Sequence, residues 1–546
     1  MSLRPHLERL AAPLVLVFAV VCVFGRSTSF DFVVWDDLRS VASNPFLDPP
    51  TLRSLGHFWS HSSENYYVPV TYSIWWGVAL VSRQVFGGLE PGLFHAANVL
   101  LHALTVLLVF RWLCLLLENR SAAFAGALLF ALHPLHVESV CWITELRGLS
   151  SAALGFGALV LVLRGRRWSA LLLFALALLA KSSAVAFAAL VLVQEIGWQR
   201  RSLREALALY LPWIVLALCA VGITRWTQIE VEARWTTPLL ERPLVACDAL
   251  GFYLRKVVWP ASLCAEYGRN PQLVATSLAL WPTALALALA LGSAFAFPER
   301  RRALCALAFF AAALLPVLGL VPFGYQEKST VADRYAYVAL CGAALAAALC
   351  VLRFGRPALA AVLVLSLAGG ALSFAQSAHW RDTRALFERV LEINPNSITA
   401  HTNLGVFALQ SRDLEGACEH FTRALELDPK ERAVLSNLGA VECELGRFEA
   451  GIAHLREALE RNPRSTFVRQ NLVDALSSAG QLAAAEASAR ELAELAPTSP
   501  AALLPLARVL RLRGERTQAA ELLQRILALS PGWKPALAEL EALGVH

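Results

Sequence analysis

Charge is what this 546-residue chain has little of: Asp, Glu, Lys and Arg make up 16% of it, against 57% hydrophobic residues and a mean hydropathy of +0.53. That balance excludes a disordered or ordinary soluble chain and calls for several membrane segments. The net charge of +6 is modest. It comes mostly from Arg placed between apolar runs, which orients a protein in a bilayer and carries no nucleic-acid signature. The eleven cysteines include no CxxC and no His/Cys group at metal-ligand spacing, so neither a disulfide framework nor a zinc site is indicated. Only Cys247 and Cys264 could pair, if their loop faces an oxidising side.

Arg-rich connectors mark the cytoplasmic side and apolar runs of roughly 20 residues mark crossings. The connectors are RGRRW (164–168), RRSLR (200–204), ERRR (299–302) and RFGR (353–356). LAAPLVLVFAVVCVFG is read as a retained first span, because no clear small-residue cleavage site follows it. Residues 68–87, with a Pro, a Trp pair, Ser and Arg83, suit a helix lying at the interface. Residues 26–92 then form one long external loop. The run 168–196 is too long for one span and carries Lys181 in its middle, so it is expected to break into two short helices with AKSS at an external turn. With 93–112, 121–137, 148–163, 206–224, 275–297, 303–321, 335–352 and 357–377, eleven crossings result, and the polar tail emerges outside.

That tail has a period. Pro395, Pro429, Pro463, Pro497 and Pro531 stand 34 residues apart. Leu404, Gly405, Ala417, Phe421 and Ala424 in the first unit, and Leu438, Gly439, Leu455 and Ala458 in the second, alternate small residues that let helices approach with large ones that fill the gap. This is the tetratricopeptide pattern. The fold expected is all-α: a polytopic membrane bundle over 1–377, then an α-solenoid over 378–546. Its repeats run 398–431, 432–465, 466–499 and 500–533, with a capping helix at 534–543 and with Val473 and Ala507 at the Gly position of the last two repeats.

In this topology several separate segments aim ionisable groups at the external rim. Asp36 and Asp37 follow the first span, ALHPLHVESVCWITELRG (131–148) follows the third, and EKSTVADRYAYV (327–338) precedes the tenth. His95, Asn98 and His102 share one helix face. Such groups are costly in lipid and usually mark function. Each also has a plainer reading. The acid pair could be a solvated turn or helix cap, the His/Asn face an interhelical hydrogen-bond set, Asp333-Arg334 a local ion pair, His133-Pro134 a helix stop, and Lys181 a side chain snorkelling to the surface.

Taken in order, FVVWDDLRSVASNP, YYVPVTY, FHAANVLLHALTVLLVF, ALLFALHPLHVESVCWITE and DRYAYV, followed by the repeats, resemble the transmembrane and tetratricopeptide repeat-containing (TMTC) O-mannosyltransferases and their bacterial relatives, of the GT-C superfamily. The resemblance covers nearly the whole chain, and HPLHVES and WDD are its most specific parts. It implies transfer of a hexose, mannose in characterised members, from a polyprenyl- or dolichyl-phosphate carrier to a protein hydroxyl, with inversion. Such a step needs a base for the incoming hydroxyl and cations for the departing phosphate. The resemblance places the base in the first external loop, at Asp36 or else Asp37. Arg334, Lys328 and Arg147 are the candidate phosphate cations; His133, His136, Glu138 and Asp333 are candidates for binding donor sugar or phosphate. His95, Asn98, His102, Lys181 and Tyr67 are candidate supports. Two positions depart from the relatives: Val68 stands where a basic residue usually precedes the Pro of YYRPL, and Gly148 stands where an acidic or polar residue is usual, for which Glu145 could substitute.

The donor is thus a lipid-linked sugar, no tightly bound cofactor is implied, and a divalent metal requirement stays open, as does the oligomeric state. The repeats could hold an acceptor protein near the site. Two other functions fit less well. An oligosaccharide ligase or polymerase would place His and basic residues in a large late loop, yet 225–274 has no His; a non-enzymatic scaffold would leave the external acids without a task. Only five of 48 basic residues are Lys, a GC-rich coding bias that favours a bacterial inner membrane with periplasmic repeats, or in a eukaryote the ER membrane with lumenal repeats.

Overall fold

The computed structural model describes residues 4–227, 237–276 and 280–544, and they form an all-helical chain in two compact units, Met1–Asn394 and Pro395–His546. In the first unit six helices are long and apolar enough to cross a membrane: Leu10–Ser29, Pro91–Leu117, Ile143–Leu163, Leu203–Thr227, Asp333–Phe354 and Arg356–Trp380. A seventh exists if Arg120–Leu132 and Pro134–Cys141, bent by 52°, count as one span. Among the described residues these are fewer than the eleven crossings expected, and the shorter apolar helices Arg167–Ala180, Ser182–Trp198 and Trp281–Ala296 stand beside them. Each remaining segment is helical over part of its length, but short for a hydrocarbon core of about 30 Å at about 1.5 Å per residue. Arg300–Leu314 has 15 residues and gives way to a 3-10 turn at Pro316, and Leu280–Ala296 has 17.

The breaks have local causes. Pro134 lacks an N–H and disfavours helical backbone at the residue before it, so the third span stops with His133 extended at ψ 133°. At Lys181 the backbone is extended at φ −157°, and it separates the short apolar helices Arg167–Ala180 and Ser182–Trp198, as the burial cost of its charge predicts. Pro69–Phe86 is helical but is not among the spanning candidates.

Small residues set the packing at the centre of this unit. A Cβ on Gly126 would lie 2.4 Å from the Ala344 carbonyl oxygen, and one on Gly342 2.5 Å from that of Ala306. The helix Ala336–Phe354 is therefore gripped on both sides at backbone contact distance, the mode of association available where lipid removes the hydrophobic drive between helices. Ile143–Leu163 is interior, with 72% of its apolar window buried, whereas Leu203–Thr227 has 17% buried and presents its apolar residues outward.

The first compact unit runs on to Asn394, past the change of composition near Ser377. The helix Thr383–Ile393 is polar in sequence but docks on the first loop: the Asp31 N–H donates to the Arg381 carbonyl (2.9 Å), the Val34 N–H to Thr383 Oγ1 (2.9 Å), and Phe387 packs on Trp35 with ring centroids 5.7 Å apart.

In the second unit, helical hairpins follow the 34-residue period: Ile398–Gln410 with Leu414–Leu427, Arg432–Glu444 with Phe448–Arg461, Thr466–Ser478 with Leu482–Leu495, and Pro500–Leu512 with Arg516–Leu529. Lys534–Leu543 closes the array. Ser397, Asp413 and Ser465 cap helix N-termini through their side chains. Gly405 is needed because a Cβ there would sit 2.6 Å from the Phe421 ring; where Val473 and Ala507 replace Gly, both are still buried.

Candidate active site

The two adjacent acids of the first loop have opposite surroundings. Asp37 is fully buried. Its Oδ1 accepts from the Thr144 N–H (3.0 Å) and hydroxyl (2.6 Å), and its Oδ2 from the Val33 N–H (3.2 Å). It ties the loop to the turn Ile143–Glu145. Burial pushes its carboxyl up to about 7 despite these three donors. Asp36 keeps 48% of its side chain exposed, and its Oδ2 lies 3.8 Å from Arg147 Nη2. Burial raises its proton affinity, while Arg147, Arg334, Lys328 and Arg39 act in the opposite sense. Of the pair, therefore, Asp36 has the exposed carboxylate and Asp37 fastens the loop.

The three expected cations converge on Asp36, each braced by rings. Arg147 Nε donates to the Thr144 carbonyl (3.2 Å), and its guanidinium sits 5.1 Å from the Tyr66 ring centroid. Arg334 Nη1 meets Glu138 Oε1 at 2.5 Å while its backbone N–H donates to Glu138 Oε2 at 2.9 Å. Its guanidinium stands 4.3, 4.9 and 5.5 Å from Tyr325, Tyr335 and Trp142. The ammonium of Lys328 stands 5.8 Å from the Trp35 ring. Such rings hold a cation without neutralising it, leaving it able to stabilise developing negative charge. Glu138 anchors Arg334 and is itself buried.

The other candidates have partners within the fold. His133 Nε2 donates to the Val257 carbonyl (3.0 Å) and its Nδ1 accepts from the Leu135 N–H (3.2 Å), which uses both ring nitrogens. His102 donates from Nε2 to the Ala131 carbonyl (3.0 Å), so its Nδ1 accepts from the Tyr337 hydroxyl (2.8 Å). His136 is enclosed by Phe130, Tyr337 and His102, with ring centroids at 4.5, 4.4 and 5.2 Å. Asn98 donates to the carbonyls of Val140 and Trp142, and His95 lies 3.4 Å from the Asp31 carbonyl. Asp333 accepts from the Tyr267 hydroxyl (2.7 Å), and Tyr67 donates to the Trp59 carbonyl (2.9 Å). Lys181 is held by Glu145 through both carboxylate oxygens, at 2.7 and 2.8 Å. The aromatic supports Trp35, Tyr66, Trp142 and Tyr325 escaped sequence reasoning, although each lies within or beside the quoted motif blocks. All eleven cysteines are unpaired thiols, Cys247 and Cys264 included. Among the described residues no three His, Cys, Asp or Glu side chains group as metal ligands would.

Comparison with known proteins bears on this arrangement. Residues 369–432 and 471–532 match the tetratricopeptide repeat family model. The human protein O-mannosyl-transferase TMTC1 is 34% identical over 145 residues, 24% of this chain and 15% of that protein. The Caenorhabditis elegans protein O-mannosyl-transferase F38B6.6 is 22% identical over 432 residues, 72% of this chain and 59% of that protein. The chain is thus similar to proteins named as protein O-mannosyl-transferases. It spans less than two thirds of the length of these curated relatives. Among solved structures, the tetratricopeptide repeat protein YrrB, described as having an unusual peptide-binding site, is 21% identical with a TM-score of 0.27, covering 29% of this chain and 82% of that one.

Proposed function

We propose that this TMTC-like chain is a membrane glycosyltransferase that moves a hexose, mannose by analogy with its named relatives, from a polyprenyl- or dolichyl-phosphate carrier to a Ser or Thr hydroxyl of a protein on the extracytoplasmic face. The observation that carries the reading is the open carboxylate of Asp36 beside Arg147 and in the field of Arg334 and Lys328. Asp36 takes the proton of the acceptor hydroxyl as its oxygen attacks the anomeric carbon. The bond from that carbon to the phosphate oxygen breaks on the opposite face, its electron pair leaves with the phosphate, and configuration inverts. Arg147, Arg334 and Lys328 stabilise the departing charge. A carrier confined to headgroup depth explains why base and cations gather at the ends of apolar helices. The membrane unit lies in a bacterial inner membrane or the ER membrane. The repeats raise the local concentration of acceptor.

Asp36→Asn removes the base while keeping size and polarity. Loss of base catalysis is expected to lower transfer by about 10²–10⁴-fold. Mass spectrometry of extracytoplasmic proteins from cells carrying each form reads this as loss of a hexose from Ser or Thr. Product retained by a folded Asp36→Asn protein overturns the proposal.

A further inference from the structure

Behind Arg334 lies a small cavity lined by Gly148, Ser151, Lys181, Ser183, Arg334 and Tyr335, among others. Lys181 sits at the break between two short helices, and Glu145 holds its ammonium in a fork, at 2.7 and 2.8 Å. The Glu145 side chain is 4% exposed and that of Lys181 23%, so the pair is sealed on the carboxylate side and open on the ammonium side. Glu145 takes up two of the three ammonium protons. The third has no partner among the described residues.

The fork depends on a missing side chain. A Cβ on Gly148 would lie 2.3 Å from Glu145 Oε2 and 3.2 Å from Lys181 Nζ. The Glu145 carboxylate thus fills the volume that any side chain at 148 would take, and Gly is the residue that leaves it vacant. Packing alone does not call for this arrangement. An ion pair this buried carries a desolvation penalty that an apolar pair of similar volume would avoid, and its cation opens on the same cavity as a second cation, Arg334.

We infer that Glu145 is a positioning residue which, in the room left by Gly148, holds Lys181 so that Lys181 and Arg334 together receive a phosphate ester in this cavity. This rests on the functional reading above and adds to it: the donor's phosphate is gripped from the Lys181 side of Arg334. Glu145 does not touch the phosphate. It fixes the direction of the ammonium and leaves one N–H for the anion, while Arg334, anchored by Glu138, supplies a planar fork.

The test uses the full chain in nanodiscs, with polyprenyl phosphate as the lipid probe and inorganic phosphate as the free-anion probe. Wild type is expected to bind the lipid phosphate. Lys181→Gln, Glu145→Gln and the neutral pair Lys181→Gln/Glu145→Gln, which keeps a hydrogen bond between the two positions, are expected to weaken binding about tenfold or more. Where transfer is measurable, the loss falls on KM for donor more than on kcat. Glu145→Ala/Gly148→Asp returns a carboxylate to the same space and is expected to recover most of the affinity, whereas Glu145→Ala alone does not. Competition by inorganic phosphate at equal concentration assigns the cavity to free phosphate and not to the lipid carrier, and overturns the inference. So does a folded neutral-pair variant that binds lipid phosphate within twofold of wild type, while the reading of Asp36 stands. Failure of the wild type itself to bind lipid phosphate removes both.

Discussion

The ion pairs sealed inside the membrane unit and the exposed pairs of the repeats use charge in opposite ways. In the membrane unit the side chains of Arg334 and Glu138 are 7% and 2% exposed, and that of Asp248, paired with Arg269, is fully buried. In the repeats Arg423–Glu426 at 45% and 57% and Arg412–Glu444 at 83% and 47% are wet. Similar charge–charge geometry therefore carries different weight in these places. A sealed pair has given up hydration that only its partner replaces; a wet pair is screened and exchanges freely with water.

The largest expected effect comes from breaking a sealed pair. Glu138→Ala leaves the Arg334 guanidinium buried without its counter-charge and removes the acceptor of its backbone N–H. The loss expected is about 3–5 kcal/mol, read as a fall in the thermal unfolding midpoint in detergent. A change below about 1 kcal/mol would mean that Arg334 is hydrated, and the contrast between sealed and exposed pairs would not hold.

Asp37 gives a subtler effect with a definite sign. Its carboxyl is raised to about 7 in the folded protein from an ordinary 3.8. Between these values the unfolded chain has lost its proton while the folded chain keeps it. The stabilisation is therefore complete below about pH 4 and is lost as pH rises through about 7, on the order of 4 kcal/mol across the window. Asp37→Asn, which does not titrate, is expected to flatten that part of the stability–pH curve. The same slope in the variant would assign it to another group.

What the sequence revealed and what it concealed divide along the same line. The 34-residue proline period, the stop before Pro134 and the break at Lys181 follow from backbone rules and the cost of charge in lipid, which act locally. That the WDD block meets Arg334 was legible only through likeness to a family. Which of two neighbouring aspartates keeps an exposed carboxylate was not legible, because it depends on where Thr144, 107 positions away, presents its N–H and hydroxyl. The same holds for His95, His102 and His133, which contact the carbonyls of Asp31, Ala131 and Val257. An imidazole on a membrane helix can complete a site or satisfy a carbonyl, and only the neighbouring backbone decides which.

The smallest effect is the sharpest test of the repeat side. Arg423 Nη1 reaches Glu426 Oε2 at 2.8 Å and its Nη2 donates to Asn396 Oδ1 at 3.2 Å, on a groove that His401, Glu419 and Arg447 also line. Arg423→Ala is expected to change stability by less than about 1 kcal/mol, because water replaces each contact. If these exposed charges serve an acceptor segment, the same variant lowers transfer to protein while leaving transfer to a short soluble acceptor unchanged, since recruitment raises only the concentration of what the groove holds. A stability loss as large as that of Glu138→Ala would show instead that the groove charges hold the solenoid together, and acceptor recruitment would need another surface.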